Sequence, residues 1–170
     1  MNPKLEAPRD LPLSARAHNL VRRLEAWVQE EIGAKRRLIE LLDVQEAAMS
    51  DSDAETLVSA TRSVSEAIQG EPTRAHTRHE LLSALAREWG TSERALTLGG
   101  IGLRMGASGQ RIARLRGELT QACEQALARG RRIALVAQAQ RAVLNEMLNA
   151  IVGSKHEEQE GRGALLDAQA

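Results

Sequence analysis

The stretch "RIARLRGELTQACEQALARGRRIALVAQAQRAVLNEMLNAIVG" occupies Arg111–Gly153. A three-four register runs through it on Ile112, Leu115, Leu119, Ala122, Ala126, Arg129, Ile133, Val136, Gln140, Val143, Met147 and Ala150. Every one of these positions is apolar except Arg129 and Gln140, which is the pattern of a coiled-coil seam. Leu144, Leu148 and Ile151 lay a second apolar stripe beside the first. A helix from Ser108 to Val152 would be roughly 67 Å long. No single helix buries a stripe of that length alone, so the sequence needs other long helices to pack against it.

Upstream of this segment, "LTLGGIGLRMGAS" (Leu96–Ser108) is rich in glycine and reads as a flexible crossover over residues 90–107. One short helical turn at Ile101–Met105 tucks its apolar side onto the bundle. Earlier still, Leu20, Leu24, Trp27, Val28, Leu38, Leu41, Leu42 and Met49 recur at helical spacing and predict a first helix over 15–49. That stripe turns polar at Glu31 and Lys35, with Gly33 between, which predicts loose packing or a partner there. "SDSD" (Ser50–Asp53) breaks the chain, because Ser and Asp compete for backbone hydrogen bonds and cap the next helix. A second helix over 54–89 follows, kinked near residue 72, where Pro72 suits a first helical turn. Gly90 stops it. Residues 1–14, with Pro3, Pro8 and Pro12, read as an extended arm. Residues 154–170 are polar and broken by glycine, and read as a mobile tail. The expected fold is therefore all-α: an elongated antiparallel bundle or coiled coil of about three long helices at 15–153, with disordered N- and C-terminal tails.

Composition agrees with long helices. The 170 residues contain no Phe or Tyr, and Trp27 and Trp89 are the only aromatics. Leu, Ala, Glu, Arg and Gln dominate, all good helix formers. Lys and Arg number 23 against 23 Asp and Glu, so the chain lacks the overall positive field that drives non-specific nucleic-acid binding. No apolar run approaches the ~18 residues of a membrane span, and the N-terminus lacks a signal-peptide core. A single cysteine, Cys123, cannot form an internal disulfide and suits a reducing compartment. The expected location is the cytoplasm.

Catalytic and cofactor chemistry find no constellation to use. Gly100, Gly102 and Gly106 give G-x-G-x-x-x-G, which has the wrong spacing for a dinucleotide fingerprint and follows no strand. In "HTRHE" (His76, His79 and Glu80), the two histidines can share a helical face, but a metal site needs a third or fourth ligand and usually a second shell, and no other Cys or His cluster exists. These residues read as a solvated outer face, and Cys123 as a small buried or half-buried thiol. No nucleophile with its base is recognisable. The expectation is a protein that is not an enzyme and that takes no metal and no cofactor.

Two resemblances carry functional readings. "TLGGIGLRMGASGQRIARLRGEL" resembles the helix-turn-helix of the last region of sigma-70-type factors, through Thr97, Leu98, Ile101, Gly102, Gly106, Ser108, Arg111 and Ile112. That resemblance implies a DNA-binding regulator with Gly106 at the turn and Gln110, Arg111 and Arg114 on the recognition helix. Against it, Gly99, Gly100 and Gly109 fall where the motif wants helix formers, and the recognition helix runs straight into the long seam.

The second resemblance spans residues 15–153. A leucine-rich end of a first helix, an acidic break and a second helix appear in "KRRLIELLDVQEAAMSDSDAETLVSATRSVSEAI" (Lys35–Ile68). A Leu-Thr-Leu turn (Leu96–Leu98) leads into "RIARLRGEL" (Arg111–Leu119), and the chain closes on "LVAQAQRAVLNEMLNAIVG" (Leu135–Gly153). This arrangement resembles the FlgN-type flagellar export chaperones. It departs from them mid-helix, where the family often has Asn pairs and this chain has Gly130 and Ala134. The resemblance implies a cytoplasmic type III export chaperone. Its partners would be the C-terminal helices of hook-associated proteins at the hook–filament junction, and the export apparatus. The residues themselves point the same way. Ile133, Leu135, Val136, Val143, Leu144, Met147, Leu148, Ile151 and Val152 cover more of the last helix than a small bundle can bury, and a surplus apolar face suits another amphipathic helix. The expected partner-binding residues are Val136, Val143, Leu144, Met147, Leu148, Ile151 and Val152, with Leu165 and Leu166 folding over on binding. Homodimerisation through the same surface is the competing use.

Overall fold

A computed structural model describes residues 14–167, with side chains through Ile151. All secondary structure among the described residues is helical: α1 (Ala15–Ser50), α2 (Ala54–Gln69), α3 (Glu71–Trp89), α4 (Leu98–Arg104) and α5 (Gln110–Asp167), with short 3-10 turns at Glu93–Ala95 and Gly106–Gly109. The chain divides into two compact units, Met1–Leu127 and Ala128–Ala170, with the boundary inside α5.

Local chemistry sets the helix ends of the first unit. The Ser14 hydroxyl accepts a hydrogen bond from the Ala17 amide at 3.0 Å and opens α1. Asp53 opens α2 in the same way, accepting from the Thr56 amide at 3.0 Å and the Thr56 hydroxyl at 2.6 Å. These bonds hold its carboxyl below the usual aspartate value. The α2–α3 break falls at Gly70, and Pro72 sits in the first turn of α3, where a missing amide proton costs nothing.

The α2–α3 pair runs antiparallel to α1. Gln45 donates to Thr61, the Trp27 indole donates to the Arg74 carbonyl, and Ser14 donates to Glu88. On α5, Arg111 lies near Glu25 and Glu118 near Arg36, so the start of α5 runs in the direction of α1. The core lies between these elements. Leu20, Val21, Leu24, Trp27, Val28 and Ile32 come from α1 and Leu81 and Leu85 from α3. Ile101 and Met105 come from the α4 region and Ile112 and Leu115 from α5.

The crossover is packed rather than loose. Thr97 caps α4 by accepting from the Gly100 amide at 3.0 Å, and Ile101 is wholly buried. The backbone of α4 seats directly on the 3-10 turn before α5. A methyl group at Gly109 would lie 1.9 Å from the Gly102 carbonyl oxygen, and one at Gly102 would lie 3.0 Å from the Ile112 side chain. Gly106 turns the chain between the two with φ of 57°, a conformation that favours glycine. These glycines permit close backbone approach, and the expectation of a flexible crossover gives way to a packed corner.

The polar interruption of α1 is also filled. Glu31 lies 3.1 Å from the Lys35 ammonium and 2.7 Å from the Arg74 guanidinium, and Lys35 also bonds Glu71. The Glu31 and Lys35 side chains are only 9% and 13% exposed. An ion cluster, rather than loose packing or a partner, occupies the middle of α1.

In the second unit, α5 continues through Asp167, past the expected helix end at Val152. The glycines of the last segment lower helix propensity without ending the helix, and the Glu and Gln residues between them favour it. The expected N-terminal arm, apart from Ser14, and the side chains of Val152, Leu165 and Leu166 lie outside the described residues.

Candidate partner-binding face

From Ala128 to Ile151, α5 presents its apolar side chains unevenly. Ile133 is buried, whereas Leu144, Met147, Leu148 and Ile151 are 59%, 57%, 58% and 54% exposed and Val143 is close to half exposed. Val136 is half-buried. Val143, Leu144, Met147, Leu148 and Ile151 are linked by steps of three and four residues (143/147/151 and 144/148/151), so they share one broad helical face. Leu135 is also exposed, but it precedes Leu144 by two and a half turns and points elsewhere. Five large apolar side chains contiguous on one face make a patch that single exposed leucines do not. The flanking residues Arg141, Asn145, Glu146 and Asn149 are polar and exposed. An apolar strip with polar borders is the complement of an amphipathic helix, and Met147 within it adapts to varied side chains.

The residues of the DNA-reading alternative meet a different fate. Arg111 donates to the Gln29 side chain at 3.3 Å and lies 3.7 Å from the buried Glu25 carboxylate, so its guanidinium is drawn toward α1. Arg114 pairs at 3.9 Å with Glu118 on its own helix, and Gln110 is exposed at the first position of α5. Ile112 and Leu115 between them are core. Other arginines of this region are engaged too. Arg104 stacks on the Trp89 ring with 4.5 Å to its centroid, and the Arg116 guanidinium lies over Gly99.

His79 does not meet His76 at a common ligand. Its Nδ1 lies 2.8 Å from Glu93, and the Ser83 hydroxyl donates to the other oxygen of the same carboxylate at 2.7 Å. His76 lies 3.5 Å from Glu80. No group of three or more metal-ligating side chains is found among the described residues. The bonds from Ser83 and His79 hold the Glu93 carboxyl below the usual glutamate value, and their effect is to fasten the 3-10 turn to α3. Glu93→Ala is expected to raise amide exchange over Thr91–Leu96 by about tenfold while global stability barely changes, because only this local tether is lost. Equal exchange in the variant would show the tether to be idle. Burial pushes the Cys123 thiol above its ordinary value, which keeps it protonated and a poor nucleophile.

Sequence reasoning missed the Glu31–Lys35–Glu71–Arg74 cluster. Its signal was present as Glu and Lys four residues apart inside an apolar stripe, but the partners lie on the far side of the α1–α2 turn. Among the described residues, no helix is long and apolar enough to cross a membrane. Comparison of the chain with family models, curated proteins and solved structures returned no match.

Proposed function

We propose that this chain is a cytoplasmic export chaperone of the flagellar type III system, whose α5 face at Val143–Ile151 sheathes an amphipathic helix at the C-terminus of a hook-associated protein. The observation that carries the proposal is the exposure of Val143, Leu144, Met147, Leu148 and Ile151 on one side of α5. The resemblance of residues 15–153 to FlgN-type chaperones supplies the identity of the client. In this reading the chain forms an elongated antiparallel bundle of three long helices. The first unit is a scaffold and the second a binding arm. Leu165 and Leu166, farther along α5, extend the contact when the client helix is long.

The energetics suit a carrier that must let go. Each of these side chains is already partly covered, so sheathing it contributes roughly 1 kcal/mol. That sum is offset by the lost freedom of the client helix, which leaves moderate affinity and ready release. While bound, the client's own assembly surface is masked. Enzymatic steps, metals, cofactors and nucleic acid have no part in the proposal.

Co-expression with the C-terminal segment of a hook–filament junction protein tests it. The chain is expected to co-purify with that segment, and Leu144→Glu with Leu148→Glu is expected to reduce recovery at least about tenfold by placing two charges in the buried strip. The first unit should melt as before. Undiminished recovery would rule out this face as the binding site.

A further inference from the structure

We draw no further inference here: the strongest candidate, the cleft between α1 and the start of α5 lined by His18, Arg22, Glu25, Ser108 and Arg111, carries nothing, because Arg111 already engages Glu25 and Gln29 and His18 bonds the Ser14 carbonyl, and nothing in it points to a ligand.

Discussion

Gly109→Ala is expected to destabilise the first unit by roughly 3 kcal/mol, at the upper end of overpacking effects. The added methyl would lie 1.9 Å from the Gly102 oxygen, 2.7 Å from its carbonyl carbon and 2.8 Å from its Cα. All three atoms are backbone, so no side-chain rotation relieves the clash. Relief requires α4 to lift from the 3-10 turn, and that withdraws Ile101 and Met105 from the core they share with Leu24, Val28 and Ile112. Chemical denaturation measures the loss. Gly117→Ala is the control, since a methyl there meets nothing within 4 Å and Gly117 lies inside α5. That substitution is expected to leave stability unchanged or raise it by up to about 1 kcal/mol. If both variants behaved alike, the Gly102–Gly109 contact would not be what holds the corner.

Glu31→Ala is expected to cost about 3 kcal/mol, the low end for breaking a buried ion pair. Glu31 lies within ion-pair distance of both Lys35 and Arg74. Its loss leaves Arg74 without that carboxylate and Lys35 with Glu71 as its remaining acidic partner among the bonds of this cluster. Arg74 also presents the carbonyl that accepts from the Trp27 indole, so a shift at Arg74 loosens the α1–α3 contact near the core. The cluster sets a pH window as well. The Lys35 hydrogen bond holds the Glu71 carboxyl below its ordinary value, a drop only partly offset by burial. A carboxyl depressed in the folded state stabilises fully above its unfolded value and ceases to do so as pH falls through the folded one. Stability from this group is therefore lost below about pH 4.5. For Lys35, burial lowers the value, but the bonds to Glu71 and Glu31 outweigh it and leave the ammonium raised overall. Its contribution is lost only above about pH 10.5. Glu71→Gln should flatten the acid limb of a stability profile and leave the neutral plateau less altered than Glu31→Ala does. A cost below 1 kcal/mol for Glu31→Ala would mean that the cluster merely fills space.

The helical class, the Ser50–Asp53 break and the first part of the α5 seam, as far as Ile133, were legible because they rest on local periodicity and capping, whereas the seam positions from Gln140 to Ala150 are exposed. Ile112 and Leu115 fell on the predicted seam and are core. The corner at Gly102 and Gly109 was not legible, because glycine in a sequence signals freedom and close approach alike, and only the contact of two distant backbone segments separates them. The ion cluster was hidden for the same reason, with Glu31 and Glu71 forty residues apart in the chain. The helix end was misplaced because Gly153 reads as a stop, while the residues after it favour helix. At the candidate site, Val143, Leu144, Met147, Leu148 and Ile151 were legible as surplus over what a bundle can cover, and each is exposed. Val136 is more sheltered than its neighbours on the face.

Calorimetric titration of the full chain with a hook–filament junction protein's C-terminal peptide, repeated at several temperatures, tests the central claim most directly. Burial of the Val143–Ile151 face predicts one peptide per chain and a negative heat-capacity change of binding, both lost in the Leu144→Glu, Leu148→Glu variant. Binding that keeps its stoichiometry and heat capacity in that variant, or no binding by the unaltered chain, would contradict it.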